Sequence, residues 1–345
     1  MKFHIIYTPK SIKYLSYYTK SLCTYLSANF IQVSNNCTLK ERSTLKHNAI
    51  TQEKLNYHCY PTNQMNLHGK VIDYLQAKSQ DEYFCFMDSD IFAISELPDL
   101  EKVMEEENLS GLFSAMPLWV KKSEYIFKNN FRNMLGTYNQ LYDGQCIGST
   151  YFAIYKSKHL REIIEYYGAS FEESLAKNLS IEIQNQLNKI GFNHTFFFDT
   201  GKVINLLLHH HGYKLRNINL PQLCHIGGTS YETTYQSQAV SKRKLISQWI
   251  KSTSLKSIFS KLSAYRRDKY FKKRFGHVPV QEYDFNYNQR VVHRNATRKH
   301  FLSLFLSLSE NRVIPEPPDF HDKEISDNVR IAHLSYIDMF KKYYK

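Results

Sequence analysis

The 345-residue chain has no run of 18 consecutive apolar residues, so it offers no helix fit to span a bilayer. Its opening, "MKFHIIYTPKS", has too short an apolar stretch for a secretory leader. Six cysteines (Cys23, Cys37, Cys59, Cys85, Cys146 and Cys224) are scattered, and no C-x-x-C pair stands among them. That pattern fits reduced thiols in a cytoplasm better than a disulfide framework. Glycine and proline are sparse, 12 and 9 residues, which argues against a linker-rich or disordered chain. There is no internal repeat and no low-complexity tract.

What is present is a large apolar and aromatic fraction, 42% and 14%, with 26 tyrosines. The length suggests about two domains at roughly 150 residues each. The net charge of +13 is unevenly placed: residues 242–274 hold twelve lysines and arginines and one acid, Asp268. The rest of the chain is close to neutral. A boundary near residue 240 follows, dividing 1–238 from a basic, mainly helical region, 239–345.

The first part alternates strand and helix patterns. "FHIIYT" reads as a strand, and residues 11–28 as a helix with Ile12, Leu15, Leu22 and Leu26 at helical spacing and Ser11 as its cap. "FIQVSNN" reads as a second strand, and "HGKVIDYLQAKSQ" as a helix. "YFCFM" is continuously apolar, as in a strand buried on both faces. "SGLFSAMP" and "STYFAIYKS" add strands. "HTFFFDTGKVINLLLHHHGYKL" gives strand, turn and helix, with Gly212 closing the helix. The expected class is α/β, a mixed sheet with helices on both faces.

Ligands of open α/β sheets bind beyond the carboxyl ends of the strands. Asp88 and Asp90 stand there in "FMDSDIF", after the most apolar strand. Two carboxylates one residue apart make a hard oxygen site suited to Mg²⁺ or Mn²⁺. Such an ion can hold a diphosphate and neutralise it as it leaves. A solvated acidic turn is the plainer alternative.

The chain resembles the GT-A fold, nucleotide-sugar-dependent glycosyltransferases, and more loosely the inverting family 2 and its bacterial relatives. The resemblance covers residues 3–235 and rests on four segments in order: "HGKVIDYLQAKSQDEYFCFMD", "FMDSDIF", "FFFDTGKVINLLLHHHGYKL" and "QLCHIGG". It implies that Asp88 and Asp90 hold the metal and the nucleotide diphosphate, with Ser89 between them, and that His225 completes the metal site. It implies Asp199 as the base that takes the acceptor proton, against the alternative of a helix cap. There are departures. Only Asp199 stands where family 2 has two adjacent acids, "VSNN" replaces the acid after the second strand, and Q-x-x-R-W is absent. A non-processive enzyme is therefore expected.

Further positions join the donor side. Gly227 and Gly228 would let backbone approach phosphates or a sugar. Tyr7, Thr8 and Asn35, after the first two strands, would contact the nucleobase, by stacking at Tyr7 and hydrogen bonding at Asn35. His68 and Lys70 open the helix before the D-x-D strand and would reach ribose or phosphate. Asp143, Gly144 and Gln145 are weak candidates on the acceptor side. His209, His210 and His211 are not read as a metal site, because consecutive helical residues diverge by about 100°.

The basic segment reads as an amphipathic helix able to dock on an anionic membrane, with plain packing and nucleic-acid binding as weaker alternatives. "VIPEPPDF" reads as a break before a final short helix. Together these features suggest a cytoplasmic glycosyltransferase, peripheral on the inner face of the cytoplasmic membrane. It would use Mn²⁺ or Mg²⁺ and a UDP-sugar, and serve a glycan or lipid-linked acceptor of a bacterial surface polysaccharide. A retaining enzyme and a non-enzymatic basic adaptor for membrane or nucleic acid are the alternatives. A nucleotidyltransferase is disfavoured, because no glycine-rich phosphate loop follows the first strand.

Overall fold

A computed structural model of the chain describes residues 1–62, 64–121, 126–127, 133–134, 138–141, 143–229 and 285–344. The basic segment 242–274 and the proposed boundary at 238 lie outside them.

Strands β1 (Lys2–Tyr7), β2 (Asn29–Ser34), β3 (Leu55–Cys59) and β4 (Tyr83–Asp88) precede the short β5 (Ile91–Ala93) and then β6 (Gly111–Ser114). Two-residue strands follow: β7 (Ile126–Phe127), β8 (Asn133–Met134), β9 (Asn139–Gln140) and β10 (Cys146–Ile147). The strands end with β11 (Phe152–Lys156), β12 (Ser174–Leu175), β13 (Phe197–Phe198), β14 (Leu215–Asn217) and β15 (Leu223–His225). The helices are α1 (Ile12–Leu15), α2 (Tyr18–Tyr25), α3 (Leu39–Thr51), α4 (His68–Lys78), α5 (Leu100–Glu106), α6 (Ser157–Tyr167), α7 (Ile181–Lys189) and α8 (Lys202–His210). Two long ones close the chain, α9 (Phe285–Ser309) and α10 (Lys323–Tyr343). Among the described residues no helix is long and apolar enough to cross a membrane.

Seven strands form one mixed sheet in the order β14-β6-β11-β4-β1-β2-β3. Only β11 runs against its neighbours β4 and β6; the remaining pairs are parallel. This is the helix-flanked mixed sheet expected from the GT-A resemblance. β4 lies at its centre, and its first five residues are buried, as the apolar run predicts. One core face joins Phe3, Ile5, Cys85 and Met87 to Phe152. The other joins Phe84, Phe86, Tyr155 and Phe171 to α4 and α8.

The helix expected over 11–28 is two helices, broken at Ser16–Tyr17. The break buries two successive tyrosines. Tyr17 pairs its hydroxyl with Tyr336 of α10, and Tyr18 packs edge-on against Phe92 and Tyr336. Ser11 does not cap through its side chain; its hydroxyl donates to the Thr8 carbonyl at 2.7 Å. The final helix is not short but spans 21 residues. Its length lets Val329, Ala332, Tyr336 and Phe340 join the core that β1, β4 and α2 share, which burial rewards at about 1.5–3 kcal/mol per large apolar side chain. α9 enters the same core through Phe301, Leu304 and Phe305.

Phe305 touches Tyr14, Tyr17, Phe340 and Tyr344. Phe305→Ala is therefore expected to cost about 3–5 kcal/mol in urea unfolding followed by circular dichroism. A loss below about 1 kcal/mol would show that the C-terminal helices fold apart from the sheet. Between α9 and α10, His300 Nε2 and His333 Nδ1 stand 2.9 Å apart. Burial, then repulsion by His333, holds His300 down at about 4. A histidine depressed in this way contributes stability above its ordinary value of about 6.5 that is lost as pH falls through about 4. His300→Leu should flatten the fall in melting temperature between pH 6.5 and 4.

Candidate active site

β4 ends on Asp88, and the chain turns through Ser89 and Asp90 into β5. β15 pairs antiparallel with β5 and places His225 opposite Ile91. The two acids and the histidine thus meet because a short two-stranded sheet extends past the end of β4. His225 Nε2 lies 3.3 Å from Asp90 Oδ1 and 3.6 Å from Asp88 Oδ2. One ligand atom from each of the three residues falls within 4.8 Å of the others. Among the described residues this is the one cluster of three or more such side chains.

Each member is held from behind. His225 Nδ1 donates to the Ala115 carbonyl at 2.8 Å, which in the neutral ring leaves the lone pair on Nε2. Ala115 itself stands at a φ of 59°. The His225 carbonyl accepts from Leu118 N–H at 2.9 Å. Asp90 Oδ2 accepts from Thr229 N–H at 2.8 Å, and its carbonyl accepts from Ile226 N–H. Asp88 N–H donates to the Tyr151 carbonyl at 2.7 Å, and the Tyr151 ring lies 4.7 Å from the imidazole.

The charges respond to this packing. Burial, repulsion from Asp90 and the nearby Asp199 push the Asp88 carboxyl up to about 7, against the pull of His225. Asp88 keeps 27% of its side-chain exposure, so it is the member of the cluster that meets solvent. Burial would raise Asp90 too, but His225 and the Thr229 N–H hold it below the ordinary range. Burial alone would lower His225, and the two carboxylates outweigh it.

His225 is 0% exposed, yet its Nε2 makes no hydrogen bond. A buried polar atom without a partner is costly. Here it faces two carboxylates, and two oxygens with one imidazole nitrogen suit Mn²⁺ or Mg²⁺. The residues present therefore fit a divalent cation.

His68 Nδ1 lies 4.0 Å from Asp88 Oδ1, so the start of α4 reaches the cluster; burial pushes His68 down to about 4, keeping it neutral at pH 7. Lys70 is exposed on α4. Ser89 is buried between the acids. Gly227 and Gly228 have φ of 81° and 73°; a Cβ at Gly227 would stand 2.7 Å from Trp119 Nε1.

Asp199 follows β13, with its N–H on the Met134 carbonyl at 2.9 Å and its Oδ1 accepting from Thr200 N–H at 2.8 Å. The cap of α8 is Gly201, at a φ of 73°. Asp199 also accepts from Lys202 N–H through its carbonyl at 3.0 Å, so it helps to start α8, and its charge is felt at Asp88, Tyr151 and the buried Lys202.

Two expected base contacts are corrected. Tyr7 is wholly buried, and its hydroxyl pairs with Thr19 Oγ1 at 2.5 Å, so its ring has no face for stacking. Asn35 is buried and spends both ends of its amide on the backbone of Asn66, at 2.9 and 3.1 Å; it pins that loop. Thr8 stays partly exposed at the strand end. His209, His210 and His211 engage Asp143, Gln186 and Tyr167 separately and do not converge. Asp143 is thus tied to α8, while Gln145 donates to the Cys146 and Leu215 carbonyls. Sequence reasoning missed Ala115, Trp119 and Tyr151, because each acts through a backbone carbonyl or ring placed by a turn and no motif marks them.

No protein-family model matches the sequence, and no curated protein does. Among solved structures the chain is similar to S. aureus TarS residues 1–349, at 14% identity and a TM-score of 0.35, over 98% of this chain and 92% of that one. It is similar to HddC from Yersinia pseudotuberculosis, at 13% identity and 0.38, over 68% and 98%. It is also similar to a galactosyltransferase, LgtC, in complex with donor and acceptor sugar analogues, at 10% identity and 0.36, over 64% and 74%. TarS 1–349 is also solved with UDP and with UDP-GlcNAc. Likenesses of this size decide neither fold nor activity, which rest on the sheet order and the cluster.

Mn²⁺ titrated into the protein and followed by calorimetry is expected to bind. His225→Ala and Asp90→Asn should each weaken it at least about 10-fold. Because the cation competes with the Asp88 proton, affinity should fall as pH drops below about 7. Equal affinity at pH 8 and pH 6 would remove Asp88 from the ligand set.

Proposed function

We propose that the protein is a metal-dependent glycosyltransferase that moves a sugar from a nucleoside-diphosphate donor, with a UDP-sugar favoured, onto a glycan or lipid-linked acceptor. The observation that carries this reading is the buried Nε2 of His225, unsatisfied and facing Asp88 and Asp90 at the carboxyl end of the central strand. That is where an α/β sheet binds nucleotides.

Asp88, Asp90 and His225 would hold the cation, and the bound ion would supply positive charge against the departing diphosphate. Displacement is the favoured course. The acceptor hydroxyl oxygen bonds to the sugar's anomeric carbon as the bond from that carbon to the phosphate oxygen breaks. The bonding pair leaves with the nucleoside diphosphate. Asp199, whose charge is felt at Asp88, takes the hydroxyl proton; its own Oδ1 contact with Thr200 N–H keeps the carboxylate oriented. This gives inversion. Gly227 and Gly228 let the turn after His225 take positive φ and pack closely on Trp119 and Arg298. Synthesis of a bacterial surface polysaccharide, carried out at the cytoplasmic membrane, is the setting we propose.

The division of roles is open to test by calorimetry and turnover. Asp90→Ala should abolish Mn²⁺-dependent binding of UDP, GDP or CDP. Asp199→Asn should leave that binding within about twofold while lowering kcat by roughly 100-fold or more. Equal loss of nucleotide affinity in both variants would overturn the assignment of Asp199 as base.

A further inference from the structure

The helix α9 brings cations to the turn that follows His225. Arg290, Arg294 and Arg298 are spaced four residues apart, so they share one helix face. Arg290 and Arg298 are 8% and 7% exposed, unusual for arginine. Helix burial therefore turns this basic face inward. It meets the turn that carries His225. A Cβ placed on Gly228 would lie 3.7 Å from Arg298 Cδ and 3.8 Å from one of its terminal nitrogens. One turn earlier, the Arg294 guanidinium stacks 5.9 Å over the Trp119 ring, a cation–π contact.

Trp119 is itself part of the site. Its Nε1 donates to the Ile226 carbonyl at 2.9 Å, and its ring closes against Gly227. Burial raises the Tyr151 hydroxyl, and Arg294 lies near enough to oppose that shift slightly; the Tyr151 ring lies 4.7 Å from the His225 ring, tilted against it. Arg294 is thus bracketed by two aromatic residues that both touch the His225 segment. It is only partly buried, its Nε makes no hydrogen bond, and no acid is ion-paired with it among the described contacts.

We propose that Arg294 binds the diphosphate of the donor, so that α9 completes the donor site. This rests on the nucleotide-sugar reading above. The chemistry asks for such a group. A departing nucleoside diphosphate carries about three negative charges, and a divalent cation offsets two. Asp88 and Asp90 add negative charge of their own to the same cleft. A guanidinium supplies the remaining positive charge and a fork of donors matched to phosphate oxygens. Arg298 is buried and packs against Gly228, whereas Arg294 is the partly exposed member.

The test is calorimetric titration of UDP, GDP and CDP, and of the corresponding monophosphates, into the full-length protein with Mn²⁺. It compares wild type with Arg294→Gln and Arg294→Lys, each checked for an unchanged melting temperature. Arg294→Gln should weaken the bound diphosphate about 10- to 100-fold, leave the monophosphate within about twofold, and leave Mn²⁺ binding alone unaltered. Arg294→Lys should recover part of the loss. Unchanged diphosphate affinity in a folded Arg294→Gln protein overturns the proposal while leaving the proposed function standing. Equal weakening of mono- and diphosphate overturns it as well, because it marks a structural effect. A wild-type protein that binds Mn²⁺ but no nucleotide overturns the function itself, and this inference with it.

Discussion

The site hangs on one hydrogen bond, from His225 Nδ1–H to the Ala115 carbonyl. It fixes which ring nitrogen carries the proton and aims the other at Asp88 and Asp90. Without it the ring would be free to turn, and the buried Nε2 would lose its reason to face two acids. The bond in turn depends on the backbone at Ala115, held at a left-handed φ of 59° where β6 leaves the sheet. A strained residue at the end of a strand is a usual companion of a functional site. Here its carbonyl is the part that acts.

The fold supports this contact from three sides. β15 pairs with β5 and brings His225 opposite Ile91, beside Asp90 in the turn before β5, in a small sheet beyond the main one. Tyr151, just before β11, lends its carbonyl to Asp88 and its ring to His225. Trp119 clamps the carbonyl of Ile226. Behind these lies the C-terminal pair of helices, which share the sheet's own core through Phe305, Tyr336 and Phe340. α9 therefore both packs in the sheet's core and sets Arg294 and Arg298 against Trp119 and Gly228. Separating stability from function in this region requires substitutions on different faces of one helix.

Asp88 and Asp90 show how one environment gives two neighbouring acids different tasks. Asp90 is closed in by a backbone N–H and the imidazole, which favour its charge. Asp88 stays partly exposed, and burial, with repulsion from Asp90 and Asp199, raises it. A cation removes the repulsion. Binding of metal and loss of a proton are then coupled, as they are wherever ligands must be ionised.

The sequence by itself determined the alternation of elements, the buried central strand and the D-x-D at its end. These depend on local periodicity and on spacing of one or two residues. It also placed His225 through the order of segments. It could not separate Tyr7 and Asn35 from the ligand side, because strands buried on both faces lose the alternation that tells inside from outside. Nor could it show the break between α1 and α2, where two adjacent tyrosines are claimed by α10, more than 300 residues away along the chain. The tertiary structure alone decided that Ala115, Trp119 and Tyr151 support the histidine, and that arginines of α9 reach its turn. Those contacts join residues far apart in the chain, and their energy exists only once the sheet has brought them together.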